Sequence, residues 1–278
     1  EIARRMSAFF ETCDLLLCPT LLCPPFDVNQ RYPTELNGVA FDKGCFVGQE
    51  NVSRMKRRTS MRILVLASDI PATSRMPGSP RLFNLCRELS RQHELQLLTY
   101  EPSPERHQSF VSDPATSSVF SRLEILPDPP AIGWWGQQWH RLHFAAYFET
   151  RYRFPSYYHS MRSRIRELCQ QKKFDLIHVD LLPMAQFVDR ELDIPAIIDL
   201  HDSMTLMARR VLKTQRDWRN LLTSYRHLLR IERLEAALGD TFDLILTNSV
   251  VDQQVIRELS DRLNTLTITN GADMEYFS

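Results

Sequence analysis

The apolar run at 197–200, Ile-Ile-Asp-Leu, leads directly into His201, Asp202 and Ser203. An imidazole delivered by a strand end hydrogen-bonds a sugar hydroxyl or polarises a bound group, and a neighbouring carboxylate fixes its tautomer. The same residues also fit a plainer role, in which Asp202 or Ser203 caps the next helix and His201 is merely exposed. A second candidate is the loop SDIPATSRMPGSPR at 68–81, where Gly78 and Ser79 stand just before a helix-like stretch. Small residues there let backbone N–H groups and the positive helix end approach an anion such as a diphosphate. A single glycine in a proline-rich loop serves equally well as a turn. The loop is not a G-x-G-x-x-G fingerprint, which argues against a nicotinamide cofactor.

These residues need elements to position them, and the chain supplies those in strict alternation. Apolar runs at 63–67, 95–100, 174–180, 195–200, 242–249 and 265–270 read as strands. Between them, residues 81–92, 182–191, 204–238 and 251–262 carry apolar residues at helical spacing. Strand and helix in turn imply an α/β fold with a doubly wound, parallel, Rossmann-like sheet, because parallel neighbours need a crossover. In such sheets ligands lie outside the carboxyl ends of the strands. Chemistry is therefore expected just after Ser68, Asp180, Leu200, Asn248 and Asn270.

Composition removes other classes. Thirty-four basic residues balance thirty-four acidic ones, so net charge gives no reason to expect a nucleic-acid partner. The six cysteines, at 13, 18, 23, 45, 86 and 169, form no C-x-x-C pair and have no histidine spaced to complete a zinc site. That pattern predicts no metal centre and a reduced, cytoplasmic setting. The longest apolar stretch, 14–26, is broken by Pro19, Pro24 and Pro25, so neither a signal peptide nor a membrane-spanning helix is expected.

Two regions stand apart. Residues 133–158 combine Trp134, Trp135, Trp139, Tyr147, Phe148, Tyr152, Phe154, Tyr157 and Tyr158 with Arg141, Arg151 and Arg153. This mixture suits peripheral membrane contact or a lipid-linked acceptor, and ordinary packing of a helical insertion explains it as well. Residues 1–60 form an irregular leader broken by prolines, ending in the basic run SRMKRRTSMR at 53–62 that reads as a solvated linker.

Taken in order, MRILVLASDIP, FDLIHVD, IIDLHDS, ERLEAALGDTFDLILTNS and ITNGADMEYFS resemble the N-terminal, acceptor-side domain of family 4 glycosyltransferases. The resemblance spans about residues 61–278 and is nearest to the sugar transferases of exopolysaccharide assembly. NGADMEYF looks like the junction at which such enzymes pass to a second domain. The resemblance implies one half of a two-domain GT-B fold and transfer of a sugar from a nucleoside-diphosphate donor to a hydroxyl acceptor. It also implies retention of configuration and no bound cofactor or required metal. Gly78 and Ser79 would then lie near the donor diphosphate, His201 near the transferred sugar as the catalytic group, and Asp202, Asn248 and Ser249 along the cleft. The donor half is expected to be missing, leaving the chain inactive alone.

The leader resembles other families. Residues 9–28 look like the end of an amidase-signature hydrolase. Lys43, Gly44, Cys45, Gly48, Gln49 and Glu50 match the K-G-C-[FY]-x-G-Q-E signature of folate-binding, aminomethyltransferase-like proteins linked to iron–sulfur maintenance. With no domain around that signature, the leader reads as a fusion remnant. Two alternatives stand beside the transferase: a non-catalytic Rossmann-like binding module, and a folate-binding protein acting through residues 36–58.

Overall fold

The computed structural model describes residues 35–36, 39–40, 60–68, 70–71, 79–101, 108, 112–127, 133–135, 137–138, 146 and 148–270. Gly78, the leader motifs at 9–28 and 43–50, the 271–278 end of the junction motif, and Trp139, Arg141 and Tyr147 lie outside them. The chain divides into two units. In the first, comprising 1–60 and 270–278, Glu35–Leu36 pairs antiparallel with Val39–Ala40.

The second unit, Met61–Thr269, is built on seven parallel strands. They are β1 (Arg62–Ala67), β2 (Glu94–Glu101), β3 (Arg122–Pro127), β4 (Leu176–Asp180), β5 (Ala196–Asp199), β6 (Leu244–Thr247) and β7 (Thr265–Thr267). The helices of the described residues include α1 (Pro80–Leu89), α2 (Pro114–Val119), α3 (Thr150–Arg153), α4 (Pro155–Gln171), α5 (Leu182–Ala185), α6 (Met204–Thr214), α7 (Trp218–Ala236) and α8 (Val250–Leu259). Spatial order is β3-β2-β1-β4-β5-β6-β7. This is the doubly wound, Rossmann-like α/β sheet expected, with its order reversing between β1 and β4. The crevice at that reversal is where such sheets bind ligands.

Apolar residues fill both sheet faces because every central strand is covered on both sides. On one face, Leu64, Leu66, Ile177, Val179 and Ile198 pack with Met161, Ile165 and Leu168 of α4. Tyr158, Met161, Ile165 and Leu168 recur at helical spacing and are all buried. Burial of this kind is worth about 1.5–3 kcal/mol per side chain. The opposite face carries Ile63, Val65 and Ala67, paired in register with Leu176, His178 and Asp180. It is thus apolar along most of its length and turns polar at its carboxyl end.

Four features differ from the sequence expectation. Strand β3 and helix α4 were not anticipated; β3 is an edge strand with half-buried residues, so its apolar signal is diluted. The helical tract at 204–238 is two helices, since the Asp217 carboxylate accepts N–H bonds from Arg219 and Asn220 and starts α7 afresh. The helix expected at 182–191 stops at Ala185. There Gln186 turns its side chain to the 148–150 segment, accepting from Thr150 N–H at 3.0 Å and donating to the Phe148 carbonyl at 3.0 Å.

Candidate functional site

The last residues of β4 and β5, Asp180 and Asp199, sit directly side by side in the sheet register and are 0% and 1% exposed. Two carboxylates on adjacent strands in a buried site repel unless counter-charges meet them. Each has one. Arg81, in the first turn of α1, donates from Nε to Asp199 Oδ2 at 3.0 Å and from a terminal nitrogen to the Ile268 carbonyl at 3.0 Å. His201 places Nε2 3.0 Å from Asp180 Oδ1.

His201 reaches that position by a costly backbone turn. Its φ is 59°, in the left-handed region, where histidine occurs more often than most residues but still at a cost of order 1 kcal/mol. Hydrogen bonds on both sides hold the turn: His201 N–H donates to Asp199 Oδ1 at 3.2 Å, and the His201 carbonyl accepts from Asn248 N–H at 2.8 Å. Leu181, immediately after Asp180, also has a positive φ, 67° with ψ 151°, a region nearly confined to glycine. Both strained residues therefore lie at the carboxyl rim of neighbouring strands.

Electrostatics follow from this packing. Burial acts to lower the His201 pKa, and the Asp180 hydrogen bond and charge, with Asp199 behind it, more than reverse that, so the pKa is raised. His178, two residues before Asp180 on the same face, is lowered, chiefly by burial. Burial, helped by the Asp180 charge, pushes the Cys86 thiol far up, which makes it unreactive. Asp180 Oδ2 and both ring nitrogens of His178 have no hydrogen-bond partner among the described residues. With Nε2 committed to Asp180 and the His201 side chain 20% exposed, Nδ1 is the ring nitrogen left for a ligand.

The structure brings His201, Asp202 and Asn248 together: Asn248 Nδ2 donates to Asp202 Oδ1 at 2.9 Å. The carboxylate that fixes the His201 ring is Asp180, however, and not its sequence neighbour Asp202. Ser79 and Ser249 both act as helix N-caps. Ser79 Oγ accepts from Leu82 N–H at 3.4 Å, and Ser249 Oγ accepts from Asp252 N–H at 3.1 Å while also bonding the Asp252 carboxylate. Ser203 caps α6, as in the plainer reading of that motif, and the fully buried Glu235 reinforces it. Its carboxylate accepts from Met204 N–H at 2.7 Å, Thr205 N–H at 3.1 Å and the Ser203 hydroxyl at 3.2 Å. The residues that the sequence did not single out are Asp180, Asp199 and Arg81. An acid ending an otherwise apolar strand was the available signal for the first two.

Among the described residues, no cluster of three or more His, Cys, Asp or Glu is arranged to hold a metal ion. None of their helices is long and apolar enough to cross a membrane. The aromatic segment splits: Trp134 and Trp135 are 62% and 79% exposed, whereas Tyr157 and Tyr158 pack against Tyr100 and Phe187.

No curated protein matches the sequence. Among solved structures, sucrose-phosphate synthase from Thermosynechococcus elongatus is similar at TM-score 0.50 and 12% identity, over 77% of this chain and 49% of that one. The Candida albicans trehalose-6-phosphate phosphatase N-terminal domain follows at TM-score 0.44 and 14% identity, over 79% and 50%. Arabidopsis thaliana UGT89C1 complexed with UDP gives TM-score 0.42 and 13% identity, over 75% and 52%. At these identities the likeness shows fold alone, and the chain spans about half the length of the structures it matches. The family description Glycosyltransferase Family 4 matches residues 80–276, most of the chain and every strand of the sheet from β2 onward. On that match the protein belongs to glycosyltransferase family 4.

Proposed function

We propose that residues 61–278 form the acceptor-side half of a GT-B glycosyltransferase that moves a sugar from a nucleoside-diphosphate donor to a hydroxyl acceptor, with retention of configuration and no bound cofactor. The observation that carries this reading is the His201–Asp180 pair at the carboxyl edge of the sheet, on a chain of this family. Asp180 holds the ring by Nε2, so Nδ1 is oriented toward a sugar hydroxyl or phosphate oxygen. The raised pKa keeps the ring cationic to higher pH, which favours a ligand carrying negative charge. Asp202 and Asn248, bonded to each other beside His201, contact sugar hydroxyls. Ser79, which caps α1, lies toward the donor diphosphate, the role also proposed for Gly78 from its place in the sequence.

Charge that develops on a departing diphosphate is stabilised by preorganised donors on both walls of a closed cleft. Residues 61–278 supply one wall of such a cleft, and the facing wall of a GT-B fold is a second Rossmann-like domain. Polysaccharide or glycoconjugate synthesis in the cytoplasm is the setting, with a lipid-linked acceptor and peripheral membrane contact at the exposed Trp134 and Trp135.

A labelled nucleoside-diphosphate sugar tests the reading. The 278-residue chain leaves the label in the donor. In a form carrying both walls, label moves to the acceptor, and His201→Ala lowers turnover by about 100-fold or more. Transfer by the chain alone refutes the one-wall argument, and full activity of the His201→Ala form refutes the role of the ring.

A further inference from the structure

Helices α6 and α7 run antiparallel, tied at their base by Glu235 to Met204 and by Glu232 to Arg209. Away from that base the packing ends: every residue from Arg216 to Thr223 is exposed. Trp218, Leu221, Leu222 and Tyr225 nevertheless follow the i, i+3, i+4, i+7 spacing of a face meant for burial, at 67%, 44%, 45% and 49% exposure. On α6, Met207 and Val211 repeat the pattern at i, i+4, at 53% and 46% exposure. Scattered exposed apolar residues are ordinary, but six at helical spacing on two adjoining helices mark an interaction face.

Charge narrows the partner. Arg209 is neutralised by Glu232 and Glu258, but between 210 and 225 the chain carries Arg210, Lys213, Arg216 and Arg219 against the single acid Asp217. The whole protein is neutral, so this excess is concentrated locally. Asp217 is itself engaged by the first N–H groups of α7, and Arg219 lies over the Trp218 ring at 5.3 Å. A nucleic acid would meet the arginines yet offer nothing to Met207, Val211, Leu221 and Leu222. An anionic lipid surface satisfies both halves: headgroups take the basic residues, the acyl boundary takes the apolar stripe, and Trp and Tyr prefer the interface between them.

We propose that the α6–α7 helix pair is a docking surface for anionic membranes. The inference rests on the exposed stripe and its charge alone, and stands whether or not the protein transfers sugar. Because the N-cap of α6, Ser203, stands two residues after His201, docking here couples the membrane surface to the element that opens at the candidate site.

Flotation with phosphatidylcholine vesicles, with and without phosphatidylglycerol, tests it on the full chain. Binding is expected with phosphatidylglycerol present and is weakened by added salt. Trp218→Glu with Leu222→Glu lowers the bound fraction about tenfold or more, as does Arg216→Glu with Arg219→Glu. All four positions are exposed, so unchanged circular dichroism and urea midpoint accompany the loss. Equal flotation with neutral vesicles, or binding that survives both helix-pair variants, overturns the proposal. So does sedimentation showing a dimer that Leu221→Glu splits while vesicle binding is absent.

Discussion

Nε2 of His201 lies 3.0 Å from Oδ1 of Asp180, although the two residues belong to different strand ends and the nearer carboxylate in sequence, Asp202, bonds Asn248 instead. The catalytic candidate is thus oriented from behind by a buried acid, and its other ring nitrogen is directed by that choice.

The first prediction concerns the titration of His201. Burial alone lowers its pKa, and Asp180 raises it past the ordinary 6.5. Since the folded value lies above the unfolded one, the stability gained from this pair is complete below pH 6.5 and is lost as pH rises through the folded value. Asp180→Asn removes the charge and leaves burial in control. Imidazole NMR shifts followed against pH then show His201 titrating below 6.5, and the decline of the thermal midpoint over that window disappears. An unchanged His201 titration in the variant sinks the assignment.

A second prediction follows from the paired acids. Asp199 is nearly inaccessible, its side chain 2% exposed, and Arg81 is its guanidinium partner. Arg81→Leu leaves two adjacent buried carboxylates with one cationic partner between them, and costs about 3–5 kcal/mol in urea unfolding. Arg81→Leu combined with Asp199→Asn costs less than the sum of the two single changes, because the stranded charge goes with its partner. Additive losses would show that the pair is not coupled.

The third prediction addresses Glu235. It is fully buried and receives three donors from the start of α6. Glu235→Ala strands those donors and costs about 2–4 kcal/mol. Amide hydrogen exchange reads the effect locally: Met204 and Thr205 lose protection, while the β1 and β4 amides keep theirs relative to the new global stability. Protection at Met204 and Thr205 equal to the parent's would remove Glu235 from its capping role.

Much of the fold is legible in the sequence. Apolar runs such as Ile63–Ala67 and Leu244–Thr247 have to be covered on both faces, and the helices between them force parallel crossovers. Edge strand β3 escaped because a half-buried strand needs fewer apolar residues. The division of α6 from α7 escaped because an N-cap at Asp217 breaks a helix without proline or glycine.

For the site, the sequence by itself determined which residue types stand at strand ends: Asp180, Asp199, His201 and Asn248 follow apolar runs, so a parallel sheet carries them to one rim. Only the tertiary structure decided how they pair. Strand order places β5 beside both β4 and β6, which brings Asp180 against Asp199 and gives His201 its bonds to Asp180 and Asn248. Contacts of this site join residues far apart in the chain, 118 positions for Arg81 and Asp199 and 187 for Arg81 and Ile268. Local patterning reports whether a residue faces a core, because burial is set by period along one element. It holds no record of which buried charge meets which, because that depends on the register between elements distant in the chain.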